Sequence, residues 1–253
     1  FPLSVRYVLS YKPHLVTGVL SIFIRIVSNW IVKRARKNGA QGKPGAITFI
    51  QRFGGAINLN VHFHSLFLDG VYENETLKFF RVADPTDDDI ANLVKRIRDR
   101  VIRYLAKKGY DISDFSEDPF AFEQPIMGEL AGASIQSRIA IGERAGKPVR
   151  RIGSETAVPG VYRIGKRCAV CDGFSLHANV KIEGNDRDKL EKLCRYTARP
   201  PIALERLSEA DGKILYRLKS QYSDGTTHVL FDPMELVEKV VALIPPPRAN
   251  LLR

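Results

Sequence analysis

The sequence predicts an α+β fold: an antiparallel sheet with helices packed on it. Three observations carry this. Strands and helices come in mixed order, with no regular βαβ alternation. Several strand candidates are joined by short polar or glycine-containing turns, as in hairpins. One long segment repeats apolar residues at helical spacing.

The elements follow in order. Residues 13 to 37 read as a helix, with Pro13 in the first turn and Lys33, Arg34, Arg36 and Lys37 at its C-terminal end, where the helix dipole favours cations. Asn38-Gly39 stops it. Leu15 to Val32 is apolar, but Arg25, Ser28 and Asn29 interrupt it, so an amphipathic or buried helix is expected and not a membrane span. Ala46 to Phe53 and Ile57 to Leu68 read as strands about a Gly54-Gly55 break, and Leu77 to Val82 as a third strand.

Asp84-Pro85-Thr86 opens the clearest helix, with Thr86 as N-cap and Asp87, Asp88 and Asp89 in its first turn. Ile90, Leu93, Val94, Ile97, Val101 and Leu105 make its apolar face, and Lys95, Arg96, Arg98, Arg100 and Arg103 its solvated face. A further helix is expected over Met127 to Arg144. A strand follows over Gly173 to Ile182, then a short helix over 186 to 199 that Pro200-Pro201 ends. Strands at Lys213 to Leu218 and Thr227 to Phe231, turned at Ser223-Asp224-Gly225, precede a helix from Pro233 to Leu243. These elements divide the chain into a helix-plus-strand half (1–110), an irregular connection (111–165, with an acidic-aromatic stretch at Asp114 to Glu123) and a strand–helix half (166–253).

Composition narrows the partner. The chain has 253 residues and a net charge of +11, with a pI near 9.6. That excess of cations favours a polyanion. Three cysteines build no disulfide framework, which points to a reducing compartment. Cys168-Ala169-Val170-Cys171 is a lone CxxC. A structural zinc site needs four ligands, no second pair exists, and the one available partner is His177. His177 itself reads as a satisfied strand histidine.

The chemistry begins at Asn58-Leu59-Asn60-Val61-His62-Phe63-His64. Alternate strand residues share a face, so Asn58, Asn60, His62 and His64 lie together, opposite Leu59, Val61 and Phe63. Two imidazoles on a rigid strand are a metal platform. A third ligand is needed, and Gln51, one strand earlier, is the first candidate, with Asn60 and Asn58 as alternatives. Amide oxygen plus imidazole suits Mg²⁺ or Mn²⁺ against a phosphate. The second constellation is Arg195-Tyr196-Thr197-Ala198-Arg199-Pro200-Pro201. A tyrosine flanked by arginines is a nucleophile candidate, since guanidinium binds phosphate oxygens bidentately and nearby positive charge favours phenolate.

Gln51-Arg52-Phe53-Gly54, the Asn58 to His64 strand and Leu68-Asp69-Gly70 resemble the core of the HUH (His-hydrophobe-His) tyrosine transposases of the insertion sequence 91 type. Asp172-Gly173-Phe174-Ser175-Leu176-His177-Ala178, Leu193-Cys194-Arg195-Tyr196 through Pro201, and Glu205-Arg206-Leu207 resemble the same family's nucleophile region. The resemblance implies an HUH-endonuclease-like antiparallel sheet and rolling-circle transposition. It implies His62, His64 and Gln51 as holders of a divalent metal, Tyr196 as nucleophile, and Asn60, Arg195, Arg199 and Lys192 as contacts to single-stranded DNA at transposon ends. It implies a 5′-phosphotyrosine intermediate and a bacterial, cytoplasmic, nucleoid-associated protein.

Two departures qualify it. Two-tyrosine members carry a tyrosine where this chain has Lys192, so the single-tyrosine branch is the expectation. The family's cysteine-rich zinc-binding region is not in this sequence, so a fragment or a truncated open reading frame is expected. Two readings compete: a basic module that grips single-stranded nucleic acid without cutting it, and a replication initiator or relaxase of the same chemistry.

Overall fold

The computed structural model describes residues 1–110, 122–152, 165–222, 224–247, 249 and 251–252. Much of the expected 111–165 connection, including most of the acidic-aromatic stretch, lies outside the described residues, as does Ser223 of the expected turn.

The chain opens with two helices, α1 (Leu3–Tyr11) and α2 (Pro13–Lys37). Strands β1 (Ala46–Phe53) and β2 (Leu59–Phe67) follow, then a small hairpin of β3 (Gly70–Tyr72) and β4 (Phe79–Arg81), then α3 (Asp87–Lys107) and α4 (Pro125–Ile135). The second half holds β5 (Arg150–Ile152), β6 (Cys168–Cys171), β7 (Phe174–His177), α5 (Arg187–Thr197) and a 3₁₀ turn at Leu204–Arg206. It ends with β8 (Leu207–Ala210), β9 (Lys213–Arg217), β10 (His228–Phe231) and α6 (Pro233–Leu243).

The class is α+β as expected, but the single antiparallel sheet is not what forms. The described strands make four separate antiparallel sheets: β1-β2, β3-β4, β6-β7 and a four-stranded sheet in the order β5-β10-β9-β8. Pairing is mostly local: β1 pairs with β2 across a short turn, β6 with β7, and the expected third strand pairs with β3 instead of joining β2.

Helix α3 follows its sequence pattern closely. The Thr86 side chain accepts from Asp89 N, the Asp89 carboxylate accepts from Thr86 N, and the apolar face is buried. It lies antiparallel to α2: Trp30 and Arg34 near the end of α2 bond Asp89 at the start of α3, and Gly18 near the start of α2 packs on Tyr104 near the end of α3. Helix α2 is long and apolar enough to cross a membrane by length and composition, and here Leu15, Val19, Leu20 and Ile26 sit in the core instead.

The expected helix over Met127 to Arg144 stops at Ile135. Ser137, Gly142 and Gly146 take positive φ, and residues 137–149 close on themselves through Ile139 N to Lys147 O, Gly146 N to Ile139 O and Val149 N to Ser137 O. The buried Glu238 carboxylate fixes this loop by accepting from Ala140 N and Ile141 N. A buried carboxylate with a full set of donors costs little and outweighs local helix preference.

The β1-β2 hairpin is the hinge of the architecture. Its apolar side chains feed two cores. Ile50 and Val61 pack with α1, α2 and α3, while Phe53 and Leu59 pack with α4, the four-stranded sheet and Leu243 of α6. Gln51, His62 and His64 carry the candidate chemistry on the face away from Ile50. Ile50 N also donates to Leu251 O, and Phe49 bridges Leu252, so the final residues cover the free edge of β1.

Candidate active site

Register places Gln51 directly opposite His62 and Phe49 opposite His64. Cross-strand partners share a face, so the amide of Gln51 joins the imidazoles. A bulge follows at once: between Gln51 and Phe53 the pairing slips by one residue. The extra residue is in β2, where Asn60 and Val61 together stand opposite Arg52.

The two imidazoles converge. His62 Nε2 lies 3.1 Å from His64 Nε2, and His62 Nδ1 is 2.7 Å from Asn60 O. With Nδ1–H donating to that carbonyl, Nε2 of His62 is left as a lone-pair donor. Burial holds both histidines below their ordinary range, and His64, beside His62 and Arg199, falls to about 4. Both are therefore neutral at neutral pH, the form that binds metals.

Gln51 is buried. Its Nε2 donates to Thr197 O at 2.7 Å, while its Oε1 is buried with no partner. A buried unsatisfied carbonyl costs about 1–3 kcal/mol. Among the described residues no three His, Cys, Asp or Glu side chains converge as a metal site, and the polar side chain that joins the histidine pair is the neutral amide of Gln51. The donor set fits a divalent cation on three counts: neutral imidazoles, an orphaned amide oxygen beside them, and a nitrogen spacing close to the roughly 3 Å between adjacent ligands at metal distances of about 2.1 Å.

Helix α5 delivers the tyrosine. Asp186 caps it by accepting from Lys189 N, and Pro200-Pro201 lies just beyond its end. The Tyr196 ring meets the His64 ring edge-on at 5.7 Å. The Gln51 bond to Thr197 O ties the end of this helix to β1, so one amide links the strand face to the residue next to Tyr196.

Cations surround the ring. Arg199 Cζ lies 4.6 Å from the Tyr196 centroid and 5.8 Å from that of Phe53. Lys219 Nζ lies 4.0 Å from the Tyr196 centroid. Cations at this range are attracted by the ring quadrupole.

Of the residues singled out by sequence, Gln51, His62, His64, Tyr196 and Arg199 come together, and Asn60 supplies its backbone carbonyl. Arg195 and Lys192 do not join them. Arg195 is exposed and turned to Glu191 one helical turn back, at 2.7 Å, and Lys192 is exposed on the same helix. His177 pairs across β6-β7 with Cys168, whose Sγ is 3.0 Å from His177 Nδ1. Cys171 instead packs into the first core. The two thiols therefore lie on opposite faces of their strand and do not chelate as a pair. Lys219 and the Thr197 carbonyl carried no sequence signal, because each reaches the site through tertiary packing.

The fold and the site together define a basic α+β protein whose polar hairpin face gathers imidazoles, an amide, a tyrosine and uncompensated cations. Residues 45–253 match the family model described as "Putative transposase". The match covers most of the chain, and the chain belongs to that family. It is thus a DNA-processing protein of transposition. No curated protein and no solved structure matches it.

Proposed function

We propose that the protein is a single-strand DNA endonuclease and strand transferase that works through Tyr196, in rolling-circle transposition of the single-tyrosine HUH type. The observation that carries this reading is the meeting of Gln51, His62 and His64 with Tyr196, residues more than a hundred positions apart in sequence, at one polar face.

His62 Nε2, His64 Nε2 and Gln51 Oε1 would hold a divalent cation, Mg²⁺ or Mn²⁺. When bound, it supplies Lewis-acid polarisation of a phosphate oxygen. The remaining work belongs to the side chains. Tyr196 Oη attacks the phosphorus of a DNA phosphodiester. The Oη–P bond forms, the bond from phosphorus to the 3′-oxygen breaks, the phenol gives up its proton and the leaving oxygen takes one. The products are a 5′-phosphotyrosine and a free 3′-hydroxyl. The bond energy stays in the tyrosine link, so rejoining needs no nucleotide cofactor. Arg199 faces the reacting ring, where a guanidinium offsets charge on phosphate oxygens. Asn60 fixes the His62 tautomer through its carbonyl.

The test is covalent capture. The protein is incubated with a labelled single-stranded oligonucleotide pool and Mn²⁺, then run on a denaturing gel. The expected result is a metal-dependent adduct absent from Tyr196→Phe and His62→Ala. An adduct that persists in Tyr196→Phe would end the proposal. Protein that binds the pool tightly while every sequence in it stays unlinked would favour the non-cutting binding module.

A further inference from the structure

The cations around Tyr196 crowd together without a carboxylate. At two other places where basic side chains crowd, a carboxylate is shared between them. Arg167 and Lys181 share Asp84 at 3.2 and 2.9 Å. Arg150 and Lys213 share Asp232 at 3.1 and 2.7 Å. Arg199, Arg206 and Lys219 have no such partner among the described residues.

These three come from separate places in the chain. Arg199 follows α5, Arg206 ends the 3₁₀ turn and Lys219 follows β9. Lys219 is held below its ordinary range by burial of its surroundings and by the positive charges of Arg199 and Arg206. The cluster therefore repels itself. Arg199 is held by rings, with its guanidinium between Phe53 and Tyr196, and its Nε is buried with no acceptor. Stacking fixes the guanidinium plane and leaves its donors unused. A buried charged donor without an acceptor is costly. An anion entering the cluster would remove both penalties at once.

We propose that Arg199 and Lys219, which both stand over the Tyr196 ring, form a phosphate subsite that grips a backbone phosphate of the bound DNA strand, with Arg206 adding positive charge to it. This rests on the endonuclease reading for the identity of the strand, but the subsite requires no metal and no cleavage. Arg199 supplies a planar fork, and Lys219 and Arg206 supply point charge from a neighbouring element. Because Arg199 follows the tyrosine helix and Lys219 follows β9, a phosphate held by both would also pin that helix against the four-stranded sheet.

The experiment measures binding of a fluorescently labelled single-stranded oligonucleotide to the full chain by anisotropy, in EDTA, across a salt series. The variants are Lys219→Gln alone, Arg206→Gln/Lys219→Gln, and Arg100→Gln/Lys107→Gln as an equal charge change on the exposed face of α3. Lys219 is exposed, so its single variant keeps the test open if the double variant misfolds. Loss of one phosphate contact is expected to reduce the slope of log K against log salt by about 0.7 and to weaken binding roughly tenfold at low salt. The α3 variant is expected to keep the wild-type slope. An unchanged slope in both Lys219 variants, or an equal fall in the α3 variant, would overturn the subsite. The two proposals separate cleanly. A reduced slope in a protein that never forms an adduct keeps the subsite and removes the endonuclease. An adduct with an unchanged slope does the reverse.

Discussion

Acid should destabilise this protein through its histidine pair, and by an amount that one substitution isolates. His64 titrates near 6.5 in an unfolded chain and at about 4 in the fold, lowered first by burial and then by His62 and Arg199. The sign follows from which state binds protons first. As pH falls from 6.5, the unfolded chain takes up a proton that the native state refuses, so stability drops until the native pKa near 4 is passed and is level below it. A shift of that size corresponds to about 3 kcal/mol for a fully buried group. His64 is only half-buried, so solvent screening brings the expected loss to about 1–2 kcal/mol. His62 shifts in the same direction for the same leading reason and adds to it. The assay is urea unfolding followed by circular dichroism, in EDTA, at about pH 7.5 and about pH 4.5, on wild type and His64→Gln. Carboxylates contribute equally to both proteins and cancel in the difference. The wild type should lose about 1–2 kcal/mol more than the variant over that interval. Equal losses would refute the placement of His64 in a desolvated, cation-flanked site.

Other substitutions probe the frame around the site. Gly18→Ala should destabilise, although Ala normally gains about 1 kcal/mol over Gly inside a helix. Its Cβ would come within 2.1 Å of the Tyr104 hydroxyl oxygen, and displacing that ring should cost about 1–3 kcal/mol in urea unfolding; a gain in stability would contradict the α2–α3 packing. Arg52→Met should cost about 2–3 kcal/mol, because it strips the donors from Ser10 O, Leu243 O and Ile244 O while relieving one buried charge; the urea midpoint checks it. Gln51→Leu should change stability by less than about 1 kcal/mol, since the lost bond to Thr197 O is offset by removal of an unpartnered oxygen. The same change should cut adduct formation by roughly a hundredfold, since it removes both the amide oxygen proposed as a metal ligand and the bond that positions Tyr196; an unchanged adduct yield would show that Gln51 serves neither role.

What could be read from sequence was local. Apolar spacing and the Thr86 cap give α3, and alternation about Gly54-Gly55 gives the β1-β2 pair, because in both cases the signal and the partner lie within one short segment. Helix α1 left no mark: it spans nine residues and has no side-chain cap. The division into four sheets was hidden because short strands carry an alternation pattern but no statement of which strand they pair with. The site divides the same way. Gln51 and the histidines were legible as a group because one hairpin holds them. Lys219 and Arg206 were not, because each lies on its own turn with ordinary neighbours. Only tertiary packing brings Lys219 over the Tyr196 ring.

One strand, β1, serves the site and the scaffold together. Gln51 and Arg52 are consecutive, both polar and both buried. Successive strand residues point to opposite faces, so one serves the polar site and the other enters apolar packing, where a guanidinium is costly without acceptors. Both find backbone carbonyls. Gln51 reaches Thr197 at the end of the tyrosine helix, and Arg52 reaches Ser10 on α1 and the carbonyls closing α6. Burial holds Arg52 down to about 10, still charged at neutral pH, and it completes helix ends whose dipoles favour a cation. The adjacent bonds therefore run from one strand to three helices. A shift of β1 along its axis would have to break the Arg52 contacts together with the Gln51 bond to Thr197 O. The spacing between the histidine face and Tyr196 is thus set by the scaffold and not by the mobile end of a tyrosine side chain.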